Sequence, residues 1–396
     1  MPRLWDKGAP LDERILRFTA GDDHRLDARL VRYDVLASIA HARMLNEQGL
    51  LGAEDCEAIC SGLAELGEEH GRGKWAISLH EEDAHGALES RLVERIGPAG
   101  GRVHLGRSRN DQVLAALRLY LKDAAETLQS GATAVAEALD ALVERQGEIP
   151  LPGYTHMQPA MPSSVRLWAE GFAAELRDDA RGLDAAKGRA DLNPLGSAAG
   201  YGTPGVDLDR DSTRRALDFA ANQEPVTAVQ LSRGKAEAAL MFEITLLLGD
   251  LGRLAADLLL FYTSEFAFVS LPDDMTTGSS IMPQKRNPDV FELVRSAQAV
   301  AVGALTEVLS ITTKLNSGYQ RDLQRLKAPL FRVVDLAEDT CAIMAHALGG
   351  VSFRADNIQL DPELDAAARA NRLVIEEGIP FREAYRRIAG TLGETE

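Results

Sequence analysis

The sequence predicts an all-α protein built on a bundle of long helices, and three observations carry that expectation. Apolar residues recur at steps of three and four over long runs, as in Leu240, Ile244, Leu247, Leu251, Leu254, Leu258 and Phe261, the spacing of helices packed nearly parallel. Short polar loops bearing Pro or Gly separate the runs, as expected of a bundle. Aromatic residues make up only 5% of the chain, which suits helix packing better than a β-sandwich.

The elements follow in order. From Leu26 to Leu66 the apolar spacing is helical with a break at Gly49-Leu50-Leu51-Gly52, predicting two helices and a turn. The segment from Ala76 to Glu82 is irregular. Asp83 suits the N-cap of a helix opening at Ala84. Three long runs come next. The first carries Val113 to Leu142 and is stopped by Pro150 and Pro152. The second carries Met161 to Leu183 with Pro162 in its first turn, and the third is the Leu240 run. Glu243, Asp250, Arg253 and Asp257 interrupt the third, which marks a core helix and not a membrane span. Two further runs cover Val290 to Leu309 and Leu330 to Leu348, and Arg354 to Glu396 reads as a small helical element. No internal repeat or low-complexity linker is visible.

At 396 residues the chain is long enough for two or three domains. Its net charge of −17 would repel polyanions and argues against a nucleic-acid binder or a membrane-surface protein. An acidic small molecule remains admissible where positive charge is local. Three cysteines, Cys56, Cys60 and Cys341, are too few for a disulfide framework and read as inert thiols. The N-terminal Met1-Pro2-Arg3-Leu4-Trp5-Asp6-Lys7 has no apolar signal core, so a cytoplasmic protein is expected.

Polar clusters interrupt the helices. Thr276-Thr277-Gly278-Ser279-Ser280-Ile281-Met282-Pro283-Gln284-Lys285-Arg286-Asn287-Pro288 is a loop feeding a helix, with Asn287 suited to the N-cap, Pro288 to the first helical position and Asp289 to the first turn, where the helix dipole favours a negative side chain. Such a loop can close over an anion. His104 to Gln112 precedes the first long run. A cap there explains Ser108 or Asn110, but Arg107 and Arg109 beside free N–H groups suggest a carboxylate or phosphate site. Pro152 to Pro159 holds His156 between prolines, with a side chain able to exchange protons near neutrality. The glycine-rich Pro194 to Pro204 lacks a following GK[ST] and a βαβ context, so close backbone packing is its expected role. His80 and His85 are five apart and do not share a helix face, so that acidic stretch reads as a helix start rather than a metal site. These residues give a polyanion site built on Arg107, Arg109, Lys285 and Arg286, with Ser279, Ser280 and His156 for proton transfer.

Taken together, the clusters resemble the fumarase/aspartase superfamily of homotetrameric lyases. Gly278 to Pro288 is similar to its signature loop, and Gly106 to Gln112 and Gly153 to Gln158 to its two other active-site regions. The wording Gly106-Arg107-Ser108-Arg109-Asn110-Asp111-Gln112, with Glu82-Asp83-Ala84-His85 and Tyr319 to Lys327, resembles the argininosuccinate lyase family in particular. The resemblance runs from about Leu4 to Ala389. It implies a three-domain all-α fold with a long central bundle and a shortened C-terminal domain, divided at 1–105, 106–350 and 351–396. It implies cleavage of argininosuccinate to arginine and fumarate with no cofactor or metal, in a homotetramer whose sites are shared between subunits.

The same resemblance casts Ser279 as the base, His156 as the acid or the relay to it, Lys285 as a stabiliser of charge and Glu292 as the carboxylate orienting His156. Asn110, Thr155 and Asn287 would steady the developing dianion. Arg109, Tyr319, Gln324 and Lys327 would hold the arginine end, and Ser108 and Asp23 would touch substrate. Three departures stand out. Phe18 to His24 replaces an Asn-Ala-Ser-Ile-type segment. Ala228-Val229-Gln230-Leu231-Ser232-Arg233-Gly234-Lys235 differs from the family's Ser-Asp-Arg-Asp-Phe form. The chain also ends soon after Ala384. Adenylosuccinate lyases share Lys285-Arg286-Asn287-Pro288, and delta-crystallins are a structural, non-enzymatic version of the same architecture; both are alternatives that substrates would decide.

Overall fold

The structure is a computed structural model describing residues 12–392. The N-terminal stretch read for a signal core, and the first residues of the resemblance, lie outside the described residues. In chain order, α1 (Glu13–Ala20) and α2 (Asp23–Leu26) lead into α3 (Val31–Glu47), α4 (Ala53–Gly71), α5 (Ala84–Ile96) and the 38-residue α6 (Arg109–Gln146). A hairpin of β1 (Pro150–Thr155) and β2 (Gln158–Ser164) precedes α7 (Val165–Ala190). Then come β3 (Leu192–Asn193), α8 (Arg210–Ala216), β4 (Ala221–Asn222), α9 (Thr227–Leu231) and α10 (Lys235–Tyr262). The chain closes with β5 (Val269–Ser270), α11 (Asp289–Thr312), α12 (Lys327–Gly350), β6 (Ser352–Phe353), α13 (Ala366–Glu377) and α14 (Phe381–Ala389).

The five long runs are α6, α7, α10, α11 and α12, and the fold is all-α apart from three two-stranded ribbons among the described residues. One run starts later than its apolar pattern suggests. Met161 and Pro162 belong to β2, and α7 begins only at Val165. Pro150, Pro152, Pro159 and Pro162 are the physical reason, because proline donates no hydrogen bond and holds the residue before it extended. Pro152 accordingly pairs with Pro162 across the hairpin, where no amide of either is needed.

The chain divides into two compact units. The first comprises Met1–Gln129, Arg181–Thr245 and Val300–Leu336. Its core packs α3, α4 and α5 through Leu45, Ile59, Leu63, Leu88 and Leu92, and each such buried side chain contributes about 1.5–3 kcal/mol of transfer free energy. The glycine-rich segment packs closely, as the sequence suggested. Asp111 Oδ2 accepts from the amides of Gly196 at 3.1 Å and Ala198 at 2.8 Å. Gly196 has φ +84, and a Cβ there would stand 2.8 Å from the Arg210 side chain.

The second unit comprises Ser130–Ala180, Leu246–Ala299 and Ala337–Glu396. Much of the small aromatic complement gathers here: Trp168 contacts Phe172, Phe261 and Phe353, and its indole N–H donates to Asp257 at 2.9 Å. At its end α13 and α14 pack through Ala370, Ala384 and Ile388, with Gly378 in the left-handed conformation closing α13. One helix among the described residues, α11, is long and apolar enough by length and composition to cross a membrane. It buries a single stripe, Phe291, Val294, Ala297, Ala301, Ala304 and Val308, and leaves Leu293 72% exposed along with Val300, Val302 and Leu309. The three thiols are free, Cys56 and Cys341 buried and Cys60 half-buried.

Candidate active site

In the first unit a cavity of about 230 Å³ is lined by Asp23, Arg109, Asn110, Tyr319, Gln324 and Lys327, six residues singled out from the sequence. Lys327, the first residue of α12, is buried, and its Nζ lies 2.5 Å from Asp27 Oδ1 and 2.9 Å from Asp23 Oδ2. Burial opposes its charge, but the two carboxylates outweigh burial and raise its pKa. Burial acts on Asp23 as well: despite Lys327, it pushes that carboxyl up to about 7, with the Asp27 charge adding to the shift. Asp27 also lines the cavity and had not been singled out. Its signal was present in the sequence as a carboxylate four residues after Asp23, one helical turn along the same face.

Asp83 does cap α5, its Oδ1 accepting from Gly86 N at 2.8 Å, while its Oδ2 pairs with Arg109. Glu82 is buried at φ +69, an uncommon conformation for a residue with a Cβ, and lies 3.5 Å from Arg321. The departing N-terminal segment forms part of the wall. Gln324 Nε2 donates to the carbonyls of Thr19 at 3.0 Å and Ala20 at 3.1 Å, and Ala20 and Asp23 face the cavity.

Two expectations change here. Arg107 is not available to an anion: it is buried, and its Nη1 donates to Ser38 Oγ at 2.8 Å. Ser38 and Gln112 both donate to Asp34, which also pairs with His85. Burial works against the charged His85, yet Asp34, Asp83 and Asp27 raise its pKa above the usual 6.5. Arg107 was misjudged because its neighbours in space, Asp34 and Ser38, are about seventy residues away in sequence. Ser108 does not line the cavity. It begins α6 as half of a reciprocal cap, its Oγ accepting from Asn110 N at 3.3 Å and its own N–H donating to Asp111 Oδ1 at 3.0 Å. Among the described residues no group of three or more His, Cys, Asp and Glu side chains is placed to hold a metal ion.

The remaining candidates belong to the second unit. His156 and Met157 form the two-residue tip of the β1–β2 hairpin at φ 52 and 61, the conformation that hairpin turns normally reserve for Asn-Gly. Histidine tolerates it better than most residues. Thr155 and His156 are both exposed. In the signature loop the backbones of Thr277 and Asn287 pair in both directions, at 3.0 and 2.8 Å, and close the loop at its base. Asn287 therefore is not the N-cap of α11, which starts at Asp289. Its Nδ2 instead donates to Thr277 Oγ1 and the Gly278 carbonyl. The two-way strand pairing fixes Asn287 before the helix can begin.

Ser279 Oγ accepts from the amides of Ile281 at 3.4 Å and Met282 at 3.3 Å, long bonds that would strengthen toward a charged oxygen. Ser280 and Lys285 are exposed, as is Glu292 one turn into α11. Arg286 lies 3.2 Å from the exposed Asp273, a surface pair of little energetic weight.

A family model described as Lyase matches residues 10–303. An argininosuccinate lyase of Sorangium cellulosum (strain So ce56) is 46% identical over 392 residues, covering 98% of this chain and 90% of that protein. One from Thermotoga neapolitana is 38% identical, covering 99% of this chain and 98% of that protein. The crystal structure of an EDDS lyase in complex with formate superimposes with a TM-score of 0.81 at 26% identity, over 96% of this chain and 76% of that one. The fold and site thus define a carbon–nitrogen lyase of the fumarase/aspartase superfamily. Within it, the chain belongs to the argininosuccinate lyase family.

Proposed function

We propose that the protein cleaves argininosuccinate into arginine and fumarate by β-elimination, with the first unit's cavity receiving the amino-acid end. The observation that carries this is the cavity's mixed charge. Carboxylates of Asp23, Asp27, Glu82 and Asp83 alternate with Lys327, Arg109, Arg321 and Arg233, a lining complementary to a zwitterionic head. Tyr319, Gln324, Lys327 and Arg109 hold that end, and Asp23 touches it.

In this scheme Ser279 removes the proton from the carbon beside a carboxylate of the succinyl part. A bare serine is a weak base, so its alkoxide depends on the two loop amides and Lys285. The resulting charge spreads into the carboxylate as a dianion, steadied by Asn110, Thr155 and Asn287. His156, oriented by Glu292, supplies a proton to the departing guanidino nitrogen. The carbon–nitrogen bond breaks with its electrons passing to nitrogen, which yields the alkene of fumarate and neutral balance of the transferred protons. No cofactor enters this scheme, and the cytoplasm is its proposed place.

A homotetramer is part of the proposal. The exposed apolar residues of α11 flank its buried stripe, Leu293 and Val300 on one side and Val302 and Leu309 on the other, which suits a helix packed among copies of the same chain, and sharing sites between subunits would cover His156 and the signature loop. Light scattering of the purified protein tests the assembly. Ultraviolet absorbance of fumarate tests the reaction, with argininosuccinate and adenylosuccinate run in parallel. Release from argininosuccinate alone is expected; release from adenylosuccinate alone would reassign the substrate, and release from neither would favour a structural role.

A further inference from the structure

We infer that Arg233 is the counterion of the α-carboxylate at the amino-acid end of the substrate, a role that rests on the proposed reaction. The other three cations lining the cavity already have carboxylate partners: Lys327 with Asp23 and Asp27, Arg109 with Asp83, and Arg321 with Glu82. Arg233 has no ion pair within 4 Å among the described residues. It is 7% exposed, yet its Nε and Nη1 are buried without any hydrogen-bond partner. A buried guanidinium left in this state is costly unless an anion completes it. Its charged neighbours do not relieve that need, since Arg118 is of like sign and Glu237 is not within ion-pair distance.

The segment around Arg233 is built to hold it there. Ser232 Oγ donates to the Val229 carbonyl at 2.8 Å and accepts from Arg118 Nη2 at 3.0 Å. Gly234 follows at φ +84, where a Cβ would stand 2.3 Å from Thr312, so no other residue fits. The guanidinium carbon lies 5.9 Å from the centroid of the Tyr319 ring, on the cavity wall assigned to the arginine end. The guanidinium borders the cavity with no ion pair of its own among the described residues, and a substrate carboxylate supplies the missing counterion. The segment that departs from the family's usual wording therefore supplies a substrate contact of its own.

The test compares L-arginine with agmatine, which is arginine without the α-carboxylate, as inhibitors of fumarate release by the full protein and by Arg233→Met and Arg233→Lys. The wild-type protein is expected to bind L-arginine about 100-fold more tightly than agmatine, the scale of one buried charge-assisted contact. In Arg233→Met that preference should collapse to within about threefold because arginine binding alone weakens, with Arg233→Lys intermediate. Arginine preference retained in Arg233→Met, or no preference in the wild type, overturns the inference while leaving the reaction intact. If Arg233→Met does not fold, the wild-type preference and Arg233→Lys decide. A wild-type protein that releases no fumarate from argininosuccinate removes the reaction and this inference with it.

Discussion

The cavity of the first unit and the exposed elements of the second contrast in how their polar groups are held. In the cavity, all the cations but Arg233 are partnered in advance: Lys327 sits between two carboxylates, Arg109 against Asp83 and Arg321 against Glu82. On the hairpin tip, the signature loop and the first turn of α11, His156, Ser280, Lys285 and Glu292 are exposed, and Ser279 rests on two long amide bonds. Recognition of a charged amino-acid end gains from groups already desolvated and oriented, because water does not compete for them. Proton transfer by a serine needs a dry site as well, so the exposed elements are proposed to become effective only when covered by other subunits.

Four substitutions or conditions would break or sharpen that contrast. The largest effect is expected from Ser279→Ala: turnover should fall roughly 10²–10⁴-fold, with arginine binding and melting temperature unchanged. Near-normal rates in that variant would remove Ser279 as the base. Next, Lys327→Met leaves Asp23 and Asp27 buried together without a cation and should cost about 3–5 kcal/mol of stability in denaturant unfolding. An unchanged midpoint would mean that the cavity is not held open by its ion pairs.

A smaller effect concerns pH. Asp23 is neutral below about 7 and ionised above it, and a substrate ammonium favours the ionised form. The KM should therefore rise as pH falls through about 7, by up to about tenfold per pH unit, and Asp23→Asn should flatten the profile. Stability carries the opposite sign. Because folding raises this pKa from 3.8, the folded state gains from the protonated acid at low pH, and that contribution is lost as pH rises from 3.8 to about 7. A KM profile indifferent to Asp23→Asn would place the ammonium elsewhere. The smallest effect is Ser108→Ala, expected to cost about 1 kcal/mol through the lost cap of α6. Its KM should stay constant; a rise of tenfold or more would give Ser108 the substrate contact that its capping bonds argue against.

Much of the fold was legible because helical periodicity is a local property. The runs over Val113, Leu240, Val290 and Leu330 became α6, α10, α11 and α12, and Asp83 caps α5. The misreadings came where backbone pairing overrode side-chain periodicity. Proline spacing drew Met161 into a strand, and the pairing of Thr277 with Asn287 displaced the start of α11. The candidate residues came from local wording, whereas Asp27 and Arg233 were passed over for want of a motif, and Arg107 was overvalued by its motif.

By itself the sequence determined the helical class, the long helices and the chemistry available, since spacing, capping and residue type act over a few positions. Only the tertiary structure decided which charges are already spent. Whether an arginine is free depends on carboxylates brought from distant segments: Arg107 has Asp34 and Ser38 near it, Arg109 has Asp83, and Arg233 forms no ion pair within 4 Å among the described residues. Electrostatic pairing in a buried cavity is set by distance in space, and that distance exists only once the chain has folded.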